Sequence, residues 1–242
     1  MQRSSIKGTI YNILSFILIS MIIISCDSFK MKQSDLYEKP HDSDKIIISK
    51  SSWGIDHISG FDSLGFNNRD TVPNIILYSS GEAMFDLYSE LDRGIPILLV
   101  SASYSCGPSQ KNLPRIDNIE QRFDGQISVY LVQIVESHPI DTISPYSHND
   151  RIWTTKGRKR DKQQIHQPRT YGERKDLSRQ WIKECDINTQ VLLDSRDNSF
   201  WNEFGQAPHI AYLINTDRTV YHRQSWFNAN EMTSKIGALL NQ

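Results

Sequence analysis

Apolar and polar residues alternate along most of the chain in a pattern that predicts strands and helices in turn. Ile95–Ala102 and Ile127–Val135 are continuous apolar runs, which are typical of strands buried on both faces of a sheet. Ser109–Phe123, between them, carries its apolar residues at helical spacing, so the three segments predict a strand–helix–strand unit with parallel strands. Further strands are predicted at Asn74–Tyr78, Gln190–Leu193, His209–Ile214 and Thr219–Arg223, and further helices at Gly81–Leu91, Thr170–Glu184, Asn198–Phe204 and Asn228–Leu240.

This order of elements predicts an α/β fold of three layers, in which a mixed β-sheet is covered by helices on both faces. It is similar to the plan of thioredoxin-like proteins, with an N-terminal extension added. We therefore predict three parts: residues 1–26 as a leader, residues 27–71 as a tether and extension, and residues 72–242 as the folded domain.

A long polar segment, from Glu136 to about Pro168, has no hydrophobic period. Such a stretch inside a compact domain predicts a functional loop. Its basic cluster, Lys156–Arg160, is interpreted as a solvated surface, and binding of anionic lipid or substrate is the alternative.

The first 26 residues have the pattern of a secretory signal peptide. Arg3 and Lys7 precede the apolar run Ile13–Ile24, which is shorter than the roughly 20 residues that a membrane-spanning helix needs. Ile23-Ile24-Ser25-Cys26 resembles the site that bacterial lipoprotein signal peptidase recognises, so we predict cleavage before Cys26 and attachment of lipid to that residue. The predicted partner of the mature chain is then a bacterial membrane, with the protein facing outside the cytoplasm in the cell envelope. An uncleaved anchor with a coincidental cysteine is the alternative.

Charge and cysteine content exclude several function classes. The chain has 27 Lys+Arg and 28 Asp+Glu, and removal of the leader, which carries two basic residues and no acid, takes the net charge from −1 to −3. A mildly acidic chain argues against general nucleic-acid binding. The three cysteines lack the paired spacing of a structural metal site, so no metal is predicted.

Cys106 is the candidate nucleophile because of its place in the pattern. It lies between the buried strand Ile95–Ala102 and the next helix, and Pro108 suits the first turn of that helix. Unpaired N–H groups and the positive end of the helix dipole favour a thiolate at a helix N-terminus, so we expect a lowered pKa. A buried, inert thiol is the alternative.

Several segments carry a resemblance to known families. Cys106-Gly107-Pro108-Ser109 resembles the active-site turn of thioredoxin, with serine in place of the second cysteine. Ser103-Tyr104-Ser105-Cys106-Gly107-Pro108 and the stretch Leu131–Asp141, which contains Glu136-Ser137-His138-Pro139, resemble the iodothyronine deiodinases. The segments Gln167–Arg174 and Leu192–Gly205 are also similar to that family, so the resemblance covers about residues 72–240. It implies that Cys106 stands at the selenocysteine position, with Ser103 and Ser105 at the Ser/Thr positions before it.

Glu136 and His138 are the candidate assistants of Cys106. The two parallel strands end at the same edge of the sheet, so Cys106 and this pair are expected to emerge together. In an extended segment, residues two apart point to one side, so His138 is expected to stabilise the thiolate or donate a proton while Glu136 fixes its tautomer. Ordinary solvated loop residues are the alternative.

Other site residues follow from the same resemblances. The thioredoxin-like plan implies a cis peptide bond at Pro208, facing the active cysteine. Cys185 is a candidate resolving thiol, and a half-buried helix cysteine away from the active edge is the alternative. His166 lies near a loop histidine of the deiodinases, although Pro168 occupies the matching position.

The main hypothesis is a membrane-tethered, thiol-dependent redox enzyme of deiodinase-like type. Cys106 would attack a halogen, a peroxide or a disulfide of a small-molecule or protein substrate. Because Ser109 replaces a second cysteine, an external thiol reductant is expected as a partner, and no bound cofactor is implied. The alternatives are a non-catalytic binding module and a thiol–disulfide protein of the thioredoxin or TlpA-like kind.

Overall fold

One mixed β-sheet of seven strands organises the part of the chain that the structure describes. The structure is a computed structural model that describes residues 38–49, 61–147, 150–152 and 165–242. Its strands are β1 Ile76–Ser79, β2 Met84–Asp86, β3 Ile97–Ala102, β4 Ser128–Gln133, β5 Gln190–Leu193, β6 Ala211–Ile214 and β7 Val220–Gln224. Its helices are α1 Leu87–Leu91, α2 Gly107–Arg122, α3 Tyr171–Cys185, α4 Ser199–Phe204 and α5 Ala229–Leu240.

The strand order brings three chain segments to one edge of the sheet. Across the sheet the order is β2-β1-β5-β4-β3-β6-β7. β4 is parallel to both neighbours, and Ala102 at the end of β3 pairs with Gln133 at the end of β4. β6 is antiparallel to β3, so its first residue, Ala211, lies opposite Val100. The ends of β3 and β4 and the start of β6 therefore meet at one edge, which we call the carboxyl edge.

Helices cover both faces of the sheet because strand residues alternate between two hydrophobic cores. Ile97 and Leu99 of β3 pack into one core with Trp201 of α4. Leu98 and Val100 pack into the other core, to which α2, α3 and α5 contribute. Burial of every residue of β3 is typical of a strand covered on both faces. The arrangement confirms the predicted three-layer α/β fold.

The predicted helix Gly81–Leu91 is wrong in its first half. The Ser79 N–H donates to the Ala83 carbonyl at 2.9 Å, so the chain turns back and β2 pairs antiparallel with β1. Asp86 then caps the short helix α1 by accepting the Ser89 N–H at 3.0 Å. The apolar spacing of the segment did not separate a tight hairpin followed by one helical turn from a continuous helix.

Residues 40–242 form one compact unit, in which described residues before β1 pack onto the sheet. Lys45 forms an antiparallel bridge with Thr170, and Phe61 is buried in the core that contains α4. The predicted leader with Cys26 and the basic cluster Lys156–Arg160 lie outside the described residues. Within the described ranges, every helix is too short or too polar to cross a membrane.

Candidate active site

Cys106 lies at the carboxyl edge, where β3 passes into α2. It is the N-cap residue of α2, with φ −79° and ψ 115°, and Pro108 lies in the first helical turn. Proline fits there because its fixed φ is helical and its missing N–H would have no partner within the helix. Ser105 and Gly107 are half-buried and Pro108 is exposed, so the turn reaches the surface above a buried sulfur.

The Cys106 sulfur is buried and lies near two serine hydroxyls. The residue is 2% exposed, and the hydroxyls of Ser109 and Ser137 are close enough to the sulfur to lower the pKa of the thiol. Burial raises the pKa of the Cys106 thiol above its ordinary value; the donors oppose this, and the charge of Glu136 adds to it. The expected lowered pKa is therefore wrong for this closed arrangement, because desolvation outweighs the donors at the helix end.

Glu136 is completely buried and holds the loop that leads to Cys106. Its Oε1 accepts the Tyr104 N–H at 3.2 Å. Its Oε2 accepts the Ser105 N–H at 2.7 Å and the Ser105 hydroxyl at 2.6 Å. Burial raises the pKa of Glu136, although these donors and the charge of Arg174 oppose the rise. The carboxylate thus fixes the two residues before the sulfur, which is a positioning role.

The Glu136 carboxylate makes no hydrogen bond to the His138 imidazole, so the expected fixing of the histidine tautomer by Glu136 is wrong. β4 ends at Gln133 and the chain bends soon afterwards, so the two-residue alternation of an extended strand is lost. The Glu136 carboxylate is bonded to Tyr104 and Ser105 rather than to the imidazole. His138 reaches the site with its backbone N–H, which donates to Ser105 Oγ at 2.9 Å.

Serine hydroxyls connect the loop after β4 to the sulfur. Ser103 Oγ lies 3.3 Å from Ser137 Oγ and accepts the Ser137 N–H at 3.4 Å. Ser144 donates its hydroxyl to the Ser137 carbonyl at 2.6 Å. Because the Ser137 hydroxyl lowers the pKa of the Cys106 thiol, this network fixes a group that acts on the sulfur.

A buried histidine, His209, lies behind Ser109. Its Nδ1 is 2.8 Å from the Ser101 carbonyl oxygen and 3.3 Å from Ser109 Oγ, and its Nε2 is 3.1 Å from Asn112 Nδ2. Burial lowers the pKa of His209 to about 4, so the imidazole is neutral at neutral pH. A carbonyl oxygen only accepts hydrogen bonds, so Nδ1 carries the proton and Nε2 accepts from Asn112.

Pro208, which precedes this histidine, has a trans peptide bond. The described residues contain no cis peptide bond, so the implied cis-proline is wrong here. The turn is held against the end of β3 by two bonds: the Ile210 N–H donates to Ser101 Oγ and the Ser101 N–H to the Ile210 carbonyl, both at 2.8 Å. Pro208 is buried, and the strand pairing places its turn at the carboxyl edge with Cys106.

Arg174 supplies a buried positive charge at this end of the sheet. Its Nη1 donates to the carbonyls of Asp194 and Ser195 at 2.7 and 2.8 Å, and its Nη2 donates to Asn198 Oδ1 at 2.6 Å. Burial raises the pKa of both Glu136 and Asp194, and the charge of Arg174 opposes the rise in each. The guanidinium therefore offsets part of the cost of burying two carboxylates.

Cys185, the candidate resolving thiol, ends α3 and is half-buried. Its Sγ donates to Gln110 Oε1 at 3.2 Å, and Gln110 Nε2 donates to the Tyr104 carbonyl at 2.7 Å. Gln110 follows Cys106 by one helical turn, so this hydrogen bond joins the end of α3 to the first turns of α2, and Cys185 has the half-buried helix position of the alternative. No disulfide joins Cys106 or Cys185 to another cysteine among the described residues.

His166 lines an open cleft of about 550 Å³. Its Nδ1 lies 3.5 Å from Asp141 Oδ2, and Arg169 reaches the same carboxylate oxygen at 3.4 Å. Gln167, in the wall of the cleft, accepts the Glu136 N–H with its Oε1 at 3.0 Å, which links the cleft to the site. Among described side chains, no group of three His, Cys, Asp or Glu is arranged to hold a metal ion.

Two solved structures are similar to this arrangement of strands and helices. One is a protein assigned as the thiol:disulfide interchange protein DsbE from Chlorobium tepidum, with a TM-score of 0.50 and 13% identity, over 73% of this chain and 99% of that chain. The other is a protein assigned as a protein disulfide isomerase from Bacteroides thetaiotaomicron, with a TM-score of 0.52 and 13% identity, over 74% of this chain and 94% of that chain. The chain has a thioredoxin-like fold. No family model and no curated protein sequence matches it.

The thioredoxin-like fold explains why the site forms where it does. The turn between the end of β3 and α2 presents Cys106, and the turn before β6 presents His209 at the same edge. At 13% sequence identity, the two solved structures show the fold of this chain and nothing finer. The similarity to the deiodinases therefore rests on the sequence segments alone.

Sequence reasoning missed three site residues: Ser137, His209 and Arg174. Ser137 directly follows Glu136 and His209 directly follows Pro208, so their neighbours were the available signal. Arg174 ends the segment Gln167–Arg174 that resembles the deiodinases, but the sequence assigned it no role, because a helical arginine looks the same whether its side chain is solvated or buried.

Proposed function

We propose that the chain is a monothiol redox protein in which Cys106 exchanges with a disulfide of a partner molecule. The observation that carries this proposal is the Cys106 sulfur at the N-cap of α2, near the hydroxyls of Ser109 and Ser137. Hydrogen bonds to a sulfur favour its charged form, which is the nucleophile in thiol–disulfide exchange. Both structurally similar proteins are assigned to disulfide chemistry, which adds support.

The exchange balances without a second cysteine in the turn. After Cys106 loses its proton, the thiolate attacks one sulfur of the partner disulfide, forms a mixed disulfide and releases the other sulfur as a thiolate that takes up a proton. One external thiol then displaces the bound partner and is left in a mixed disulfide with Cys106. A second external thiol attacks that mixed disulfide, which frees Cys106 and releases the two external thiols as a disulfide. One disulfide is thereby reduced to two thiols while two external thiols are oxidised.

Burial controls the rate of this exchange. The raised pKa keeps Cys106 mostly as a thiol at neutral pH, so its reactivity should continue to rise above the ordinary thiol pKa of about 8.5. Access requires movement of the Ser105–Pro108 turn, which Glu136 holds through Ser105.

The test is reduction of a model aromatic disulfide by the purified chain with an external thiol. Cys106→Ser should lose the protein-dependent rate, whereas Cys185→Ser, the matched control, should keep it if the external thiol resolves the mixed disulfide. A rate that survives in Cys106→Ser would overturn the proposal. Absence of protein-dependent reduction in the wild type would favour the non-catalytic binding module.

A finer proposal follows the deiodinase resemblance of residues 103–108 and 131–141. Here the Cys106 thiolate takes the halogen from an aromatic ring, the ring carbon gains a proton, and an external thiol then releases halide by forming a disulfide with Cys106. Halide released from a haloaromatic substrate by the wild type and not by Cys106→Ser would support it. Disulfide reduction without halide release would contradict this finer proposal and support only the thiol–disulfide proposal.

We also propose that the mature chain is anchored to a membrane through lipid on Cys26, as the residues before it indicate. Fatty-acid labelling should require Cys26, and Cys26→Ser should move the protein from the membrane fraction to the soluble fraction. Membrane association unchanged by this substitution would contradict the anchor.

A further inference from the structure

His209 takes no part in the exchange steps above, yet both of its ring nitrogens are hydrogen-bonded. The residue is 0% exposed, and its imidazole lies between Ser101, Ser109 and Asn112. A buried polar ring with every nitrogen engaged fixes the direction of its neighbours' hydrogen bonds.

We propose that His209 is a positioning residue that orients Ser109 so that the serine hydroxyl donates to the Cys106 sulfur. The inference rests on the proposed role of Cys106, and it adds a residue from a different strand to the control of that thiol.

The direction of each bond follows from the chemistry of the groups. The Ser101 carbonyl oxygen, 2.8 Å from Nδ1, can only accept, so Nδ1 carries the proton of the neutral ring. Ser109 Oγ, 3.3 Å from the same Nδ1, can then only accept, sharing that one N–H with the Ser101 carbonyl, and it also accepts the Ser103 N–H at 3.4 Å. Two donors thus occupy the acceptor positions of Ser109 Oγ. The hydroxyl proton is left for the sulfur of Cys106, which is the N-cap residue of the same helix, three positions before Ser109.

Asn112 fixes the ring in this tautomer. Its Nδ2 donates to Nε2 of His209 at 3.1 Å, which leaves no room for a proton on Nε2. Its Oδ1 accepts from Arg115 Nη1 at 3.1 Å, so the amide is held with its nitrogen toward the imidazole. Hydrogen bonds therefore connect Arg115, Asn112, His209 and Ser109 in series, and the series ends with the Ser109 hydroxyl as the donor to Cys106.

Other titratable groups also act on the Cys106 thiol, and they define the controls. The charge of Glu136 raises its pKa, and Tyr146, which burial keeps protonated, lies within electrostatic range of the sulfur. Both are retained when His209 is changed, so a shift in the pH profile of Cys106 in such variants reports on Ser109.

The test is the pH dependence of Cys106 alkylation by iodoacetamide, followed by mass spectrometry on the peptide that contains Cys106, in the full chain. His209→Phe keeps a ring but removes the donor, and Ser109→Ala removes the hydroxyl itself. Loss of one hydrogen bond to the thiolate should lower the alkylation rate at neutral pH about fivefold in each variant. His222→Phe, which changes a histidine on β7 paired with Glu231, is the control and should leave the rate unchanged.

The double variant decides whether His209 acts through Ser109. In the Ser109→Ala background, His209→Phe should have no further effect, because the hydroxyl it orients is gone. Additive effects, or an unchanged pH profile in His209→Phe, would overturn the inference.

Two further measurements keep the test decisive. If His209→Phe does not fold, nitrogen NMR of the wild-type imidazole tests the inference in its place. A neutral ring with the proton on Nδ1 is expected. A proton on Nε2 would overturn the inference. Disulfide reduction by the wild type is measured separately, so failure of the His209 inference is distinguishable from failure of the proposed function.

Discussion

Glu136 Oε2 accepts two hydrogen bonds from a single residue, the N–H of Ser105 at 2.7 Å and its hydroxyl at 2.6 Å. Ser105 immediately precedes Cys106, and Ser105 Oγ also accepts the His138 N–H at 2.9 Å. One buried carboxylate therefore sets the conformation of the turn that carries Cys106 and, through Ser105, ties it to the loop after β4.

Glu136→Gln should destabilise this turn while making the thiol more acidic. A glutamine offers one acceptor oxygen where the carboxylate offers two, so an N–H of Tyr104 or Ser105 loses its acceptor, at a cost of about 1–3 kcal/mol in the free energy of unfolding. Removal of the negative charge should lower the pKa of the Cys106 thiol, since that charge raises it. Urea unfolding and pH-dependent alkylation measure the two effects. Glu203→Gln, at an exposed position on α4, is the control, and equal stability of the two variants would contradict the role of Glu136.

His209 should make the folded state sensitive to acid. Its pKa is about 4 in the folded chain, below the ordinary 6.5, so the unfolded chain binds a proton first as the pH falls. The contribution to stability is complete above pH 6.5 and is lost as the pH falls toward 4, by up to roughly 3 kcal/mol. Glu136 and Asp194 have raised pKa values and act in the opposite sense, since their contribution is lost as the pH rises.

His209→Asn isolates this effect because it leaves the two carboxylates in place. The difference in unfolding free energy between wild type and variant should shrink as the pH falls from 6.5 to 4, and parallel pH curves would contradict the prediction.

Ser109→Cys should turn the monothiol turn into a dithiol. The Ser109 hydroxyl is within hydrogen-bond reach of the Cys106 sulfur, so a cysteine there should close a disulfide after a small adjustment of the turn. The oxidised variant should show two fewer reactive thiols than the reduced one, with both lost cysteines in the peptide that contains residues 106 and 109. Ser144→Cys, whose hydroxyl contacts the Ser137 carbonyl, is the control and should remain reduced.

Arg174→Met should be strongly destabilising. It removes three hydrogen bonds to Asp194, Ser195 and Asn198 and leaves the buried carboxylate groups without their positive partner, which typically costs 3–5 kcal/mol. Arg179→Met is the matched control on the same helix. Because Arg179 is half exposed, its substitution should lower the free energy of unfolding by less than about 1 kcal/mol. Similar urea midpoints for the two variants would show that the buried charge is not needed.

Much of the fold could be predicted because its signals are local. The apolar run of β3 and the helical spacing of α2 lie within about 30 residues, and Pro108 marks the first turn of α2 without reference to any other segment. The hairpin of β1 and β2 was missed because a short turn and one helical turn give the same apolar spacing as a helix.

The candidate site could be predicted only in part. Cys106 followed from its position between strand and helix, whereas the convergence of Glu136 and His138 assumed that β4 continued to His138. The strand ends at Gln133, so the carboxylate accepts from Ser105, and the His138 N–H donates to the same serine.

By itself, the sequence determined that a cysteine stands at the start of a helix next to a strand buried on both faces, because hydrophobic period and proline placement act over a few residues. Only the tertiary structure decided the state of that cysteine. Its pKa depends on desolvation, and its donors depend on contacts between segments such as Ser109 and His209, which are 100 residues apart. Such contacts form when the ends of β3 and β4 and the start of β6 meet at one edge, and no local pattern encodes that meeting.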